Sequence, residues 1–156
     1  MTEKKLEDIS WEQFSELDLQ EKGDYCNRNG LPYHALIAQQ FNRQMLGDLG
    51  TLATCVRRIA KSKTGMGFLS SLLSHKRAML YFSQPSSRTF LSFHAACQIL
   101  GLNVSEVRDP QTSSEMKGES KEDSVRTFSS YFDILIMRTP EQGFSERMAW
   151  LLSNTE

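Results

Sequence analysis

Residues 78–100 read Ala78-Met79-Leu80-Tyr81-Phe82, then Ser83-Gln84-Pro85-Ser86-Ser87-Arg88-Thr89, then Phe90-Leu91-Ser92-Phe93-His94-Ala95-Ala96-Cys97-Gln98-Ile99-Leu100. The opening apolar run is short and bounded by turn residues, which predicts a buried strand. Gln84-Pro85-Ser86-Ser87 breaks it, and Phe90, Phe93, Cys97 and Leu100 then recur at helical spacing, with Gly101 closing the helix.

The same alternation continues downstream. Leu102 to Val107 reads as a second strand, followed by a polar loop to Glu119. Ser120-Lys121-Glu122-Asp123 opens the next helix with a capping residue and an acidic first turn. Asp133 to Met137 is a third strand, and Gly143 to Ser153, holding Phe144, Met148, Trp150, Leu151 and Leu152, a further helix. Upstream, Met45, Leu49, Leu52, Val56 and Ile59 mark one face of an amphipathic helix from about Asn42 to Lys63, which Gly65 and Gly67 are expected to stop. Residues 1–32 read as an acidic, polar extension with one short helix, turning at Asn27-Arg28-Asn29-Gly30. The class is therefore α/β: right-handed β-α-β units in a parallel sheet with helices on both faces. Such sheets bind ligands beyond the carboxyl ends of their strands.

The 156 residues suit one domain, and 39% hydrophobic with 24% charged residues excludes a disordered chain. No apolar run approaches the ~20 residues of a membrane span, and MTEKKLEDIS lacks the apolar middle of a secretory signal, so the cytoplasm is the expected compartment. Cys26, Cys55 and Cys97 are an odd, widely spaced set, which predicts reduced and mostly packed thiols with neither a disulfide framework nor a metal site. The net charge of −1 conceals an uneven distribution. Residues 1–24 carry three basic and eight acidic side chains, residues 25–108 ten and two, and residues 109–156 five and nine. A basic middle segment suits an anionic ligand or partner, although charge alone favours a solvated basic helix face. No basic recognition helix or stacking-aromatic motif accompanies it, which argues against nucleic acid.

Three groups of residues carry candidate chemistry. Ser86-Ser87-Arg88-Thr89 lies between a strand and a helix, where unpaired N–H groups and partial positive charge hold anions. Arg88 can grip a phosphate bidentately. The alternative is ordinary capping by Ser86 or Ser87, with Arg88 in a surface ion pair. The loop Ser113-Ser114-Glu115-Met116-Lys117-Gly118-Glu119 presents a lysine able to reach an anion or simply to stay solvated. Arg138, followed by Thr139-Pro140, ends the third strand where a parallel-sheet site places a ligand group, although it also suits a helix cap. No Ser-His-Asp or Cys-His pairing emerges.

In this order and spacing, YFSQPSSRTFLSF, SSEMKGESKEDSVR and DILIMRTP resemble the carbamoyl-phosphate-binding domain of aspartate and ornithine carbamoyltransferases. Upstream, HALIAQQFNRQMLGDL is similar to the family's entry segment, in a form closer to the aspartate branch. The resemblance implies a partial carbamoyl-phosphate domain over residues 33–156, with Ser86, Ser87, Arg88 and Thr89 holding the phosphate. It further implies that Ser113 and Lys117 reach the neighbouring subunit's site in a homotrimer, and that Arg138 contacts the phosphate and the carbonyl oxygen. The implied reaction is carbamoyl transfer from carbamoyl phosphate to L-aspartate in pyrimidine biosynthesis, with no cofactor, metal, membrane or nucleic acid.

The sequence departs from the family pattern at four positions. Ser87 replaces threonine, Phe90 a second arginine, Thr139 the aspartate branch's histidine, and Gln84 a frequent acidic residue. An H-P-T-Q-like segment and an amino-acid-binding domain are not among the 156 residues, so the chain by itself is expected to turn over poorly. The competing expectations are a non-catalytic phosphate-binding module, a truncated fragment, and an ornithine-type enzyme.

Overall fold

The computed structural model describes residues 4–108 and 120–155. Its helices and strands, in chain order, are α1 (Trp11–Glu16), α2 (Leu19–Tyr25), β1 (Asn27–Arg28), β2 (Leu31–Pro32), α3 (Arg43–Ile59), α4 (Lys63–Leu72), β3 (Arg77–Phe82), α5 (Ser87–Leu100), β4 (Asn103–Val107), α6 (Lys121–Tyr131), β5 (Ile134–Arg138) and α7 (Phe144–Ser153). Short 3-10 turns occupy Leu6–Asp8 and Ala38–Gln40. The chain forms two compact units, Leu52–Glu141 and Met1–Thr51 with Gln142–Glu156.

The larger unit holds the parallel sheet, in the order β4-β3-β5. The central strand β3 is buried from Ala78 to Phe82, as expected of a strand covered on both faces. Ala78, Leu80 and Phe82 pack with Phe90, Cys97 and Leu102 on the α5 side. Alternation sends Tyr81 to the opposite face, where its ring lies 5.6 Å from Phe128 of α6. The expected two-sided α/β arrangement is thus present.

Register is pinned at the amino end of the sheet. Asp133 accepts from the Arg77 N–H at 2.8 Å and the Lys76 ammonium at 2.9 Å. These two hydrogen bonds hold its carboxyl below the usual carboxylate range. Ser120 caps α6 by accepting from the Asp123 N–H at 3.1 Å, as the polar run predicts.

Two expectations are corrected. Gly65 and Gly67 do not stop α3; they lie inside α4. α3 ends at Ile59, and Ser62 starts α4 by accepting from the Gly65 N–H at 2.9 Å. A Cβ on residue 65 would sit 2.0 Å from the Ile59 carbonyl oxygen, so glycine here permits close succession of two helices. The extension carries two short α-helices rather than one. Ser10 with Gln13 and Asp18 with Glu21 each form a capping box, giving two separate helix starts.

In the smaller unit, Leu6, Phe14, Cys26 and Ala149 form the core. Trp150 packs its ring 6.2 Å from Trp11 and donates to the Ile9 carbonyl at 2.8 Å. Buried Gln40 has both ends satisfied: its carbonyl accepts from the Leu36 and Ile37 N–H groups, and its amide donates to Asn27 and the His34 carbonyl. The three thiols are free, with Cys26 and Cys97 buried and Cys55 exposed. On α3 the periodic apolar face is not buried, and Leu49, Leu52 and Ile59 are exposed.

Candidate functional site

The carboxyl end of the sheet holds Ser86 to Thr89 and Arg138, two of the three groups singled out from the sequence. β3 ends at Phe82, and Ser83 to Pro85 turn the chain into α5. Ser86 occupies the N-cap with extended backbone, but its side chain makes no capping hydrogen bond. Its hydroxyl instead donates to the Thr89 hydroxyl at 3.0 Å. The first-turn N–H groups of α5 are therefore uncapped by Ser86, and a helix start in that state attracts an anion. Ser87 and Arg88 are exposed beside it, while Ser86 and Thr89 are half-buried.

Arg138 meets this turn through its backbone. The Arg138 carbonyl accepts from the Gln84 N–H and from the Ser83 hydroxyl, each at 3.3 Å. Arg138 is in register with Phe82, whose ring belongs to the α5-side cluster, so both side chains project to that face. Its Nε is buried and has no hydrogen-bond partner among the described residues. A buried guanidinium N–H without an acceptor is costly, and an anion entering from the α5 turn would supply one.

Ser113 and Lys117 lie outside the described residues. Thr139 accepts from the Glu141 N–H at 3.2 Å and so serves the turn after β5. His94 stands over Phe90, ring to ring at 5.6 Å, as a packing residue of α5. Among the described residues no group of three or more His, Cys, Asp or Glu side chains is placed to hold a metal ion, and no helix is long and apolar enough to cross a membrane.

One residue at this edge escaped the sequence reading. Arg108, immediately after β4, places its guanidinium 4.3 Å from the centroid of the Phe90 ring. The available signal was its position, just past a strand's carboxyl end.

The remaining clusters lie in the smaller unit. His34 shares a 3.1 Å hydrogen bond with Ser153, and its pKa is lowered to about 4, chiefly by burial and then by the Arg28 charge. Burial pushes the Cys26 thiol up to about 11. Neither group lies among the phosphate-binding candidates.

Comparison with known proteins bears on this arrangement. The family described as aspartate/ornithine carbamoyltransferase, carbamoyl-P binding domain, matches residues 33–152. An aspartate carbamoyltransferase catalytic subunit of Methanosarcina acetivorans is 35% identical over 116 residues, covering 74% of this chain and 36% of its own. The multifunctional protein pyr1-3 of Dictyostelium discoideum is 41% identical over 113 residues, covering 72% of this chain and 5% of its own. Among solved structures, aspartate transcarbamoylase from Trypanosoma cruzi in complex with carbamoyl aspartate and phosphate superposes with a TM-score of 0.64 at 36% identity. That match covers 75% of this chain and 36% of that one. The chain thus spans about a third of the length of the catalytic subunits it matches. By the extent of the match, residues 33–152 of 156, the chain belongs to the aspartate/ornithine carbamoyltransferase family, through its carbamoyl-phosphate-binding domain.

Proposed function

We propose that this chain supplies the carbamoyl-phosphate half of an aspartate carbamoyltransferase, with residues 33–156 as the binding domain and residues 1–32 as an extension. The observation carrying this reading is the uncapped start of α5, tied through Gln84 to Arg138, whose buried Nε has no partner among the described residues. Support also comes from the T. cruzi enzyme, similar in fold, which was solved with carbamoyl phosphate and aspartate.

In this reading the α5 N–H groups and the hydroxyls of Ser86, Ser87 and Thr89 hold the phosphoryl oxygens. Arg88 adds a bidentate grip, and Arg138 contacts both the phosphate and the carbonyl oxygen. Ser113 and Lys117 enter from a neighbouring copy, which makes the working assembly a homotrimer. The amine of L-aspartate attacks the carbamoyl carbon, the new C–N bond forms, the C–O bond to phosphate breaks, and the amine releases a proton. The products are N-carbamoyl-L-aspartate and phosphate, as a step of pyrimidine synthesis in the cytoplasm.

This chemistry asks little of acids and bases. The nucleophile belongs to the substrate and phosphate is a good leaving group, so the protein's contribution is orientation and positive charge where the oxyanion develops. Arg88, Thr89, Arg138 and Lys117 are the donors assigned to that task.

Calorimetric titration of the 156-residue chain with carbamoyl phosphate tests the assignment. Losing a charge-assisted hydrogen bond costs about 1.5 to 3 kcal/mol, so Arg88→Ala and Arg138→Ala should each weaken binding roughly 10- to 100-fold. Unchanged affinity in both variants would remove the site. Sedimentation tests the trimer, which a strict monomer at high concentration would contradict.

A further inference from the structure

We propose that Arg108 is a second cationic wall of the anion site, held in place by the ring of Phe90. The inference rests on the functional reading above and adds a residue to it.

The placement follows from register. Val107 of β4 pairs with Tyr81 of β3, so Arg108 is level with Phe82, and Phe82 pairs on its other side with Arg138. Two arginines therefore flank the last residue of the central strand, their backbones roughly 10 Å apart across two strand spacings. Phe82 and Phe90 meet edge to face at 5.4 Å, and the Arg108 guanidinium covers Phe90 at 4.3 Å. This stack brings the Arg108 charge to the first turn of α5, because Phe90 donates its N–H to the Ser86 carbonyl at 3.0 Å.

The chemistry of the stack explains why an arginine suits the position. Phe90 is 4% exposed and contributes no charge beside the turn. A guanidinium lies flat on an aromatic face while keeping its edge N–H groups free for an anion, which an ammonium group does less well. Arg108 itself is exposed, and among the described residues it has no ion-pair partner. Its charge is thus directed at the sheet edge, where a phosphate dianion would be attracted by Arg88, Arg138 and Arg108 together. Phe90 is a positioning residue in this scheme, and Arg108 contacts the ligand.

Calorimetry of the full chain with N-(phosphonacetyl)-L-aspartate, at low and high salt, tests the proposal. At low ionic strength Arg108→Ala should weaken binding about 10-fold, and the difference should shrink several-fold in ~0.5 M salt as screening shortens its reach. Arg108→Lys should recover part of the loss, and Phe90→Leu should weaken binding with all three arginines present. A merely structural role for Arg108 would move neither the salt dependence nor the lysine rescue. If Arg108→Ala binds like the parent at both salt concentrations while Arg88→Ala and Arg138→Ala lose affinity, Arg108 is excluded and the site stands. If all three variants bind like the parent, the site reading itself fails and this inference with it.

Discussion

Gly101 closes α5 and sets the path into β4, and replacing it by alanine separates two physical effects. Its φ is +83°, in the left-handed region, where a Cβ costs about 1 to 2 kcal/mol. In addition, a Cβ there would lie 1.8 Å from the Ser70 carbonyl oxygen and 2.6 Å from its carbon. These are backbone atoms, so relief requires α4 and the α5–β4 turn to move apart, and overpacking of this kind adds about 1 to 3 kcal/mol. Gly101→Ala should therefore lose about 2 to 5 kcal/mol, a large share of the ~5 to 15 kcal/mol typical of a domain. Gly143 supplies the control, since its φ is +76° but a Cβ there would meet nothing within 4 Å. Gly143→Ala should lose only the conformational part, about 1 to 2 kcal/mol. Urea denaturation followed by circular dichroism compares the two. Gly101→Asn extends the test: asparagine tolerates positive φ yet carries a Cβ, so it should remain nearly as destabilised as the alanine variant. Equal losses for Gly101→Ala and Gly143→Ala would refute the steric argument.

Acid should act first on the smaller unit. His34 has its pKa lowered to about 4 from 6.5, so its neutral form stabilises that unit fully above pH 6.5, and the contribution fades as pH falls from 6.5 towards 4. Its full size is about 3 kcal/mol at most. His34→Gln should flatten that acid limb in pH-dependent denaturation, and an unchanged limb would count against the assignment. The ion pair Lys22–Glu146 spans 3.3 Å with side chains 12% and 23% exposed, whereas Lys4–Asp24 at the same distance is 45% and 46% exposed. Lys22→Ala should therefore lose roughly 1 to 3 kcal/mol and Lys4→Ala less than about 0.5 kcal/mol. Equal denaturation midpoints for the two would contradict the burial argument. Thiol labelling near pH 8 should modify exposed Cys55 first and Cys26 last, because burial both shields Cys26 and raises its pKa to about 11.

The fold was legible where local pattern and tertiary role agree. Ala78 to Phe82 is apolar throughout because both faces of β3 are covered, and Ser120 announces α6 because its hydroxyl caps that helix. Gly65 misled because glycine signals both a helix stop and a close approach, and only the Ile59 carbonyl decides between them. The α3 periodicity marked a true apolar face, but periodicity says nothing about what covers it, and Leu49 and Leu52 are exposed. The placement of Ser86 to Thr89 and of Arg138 at the carboxyl ends of strands was readable because each follows a short apolar run. The hydroxyl pairing of Ser86 with Thr89, which leaves the helix start uncapped, was not readable, because side-chain partner choice depends on rotamers. Arg108 escaped because its partner, Phe90, lies 18 residues earlier and is brought to it only by the β3-α5-β4 crossover.

In the proposed site, phosphate is held where α5 begins. Titrating the isotopically labelled chain with carbamoyl phosphate, while following backbone amide and arginine Nε resonances by NMR, tests it most directly. Saturable shifts are expected at the amides of Ser87, Arg88 and Thr89 and at the Arg138 Nε. Shifts confined to other segments, or none at millimolar ligand, would contradict it.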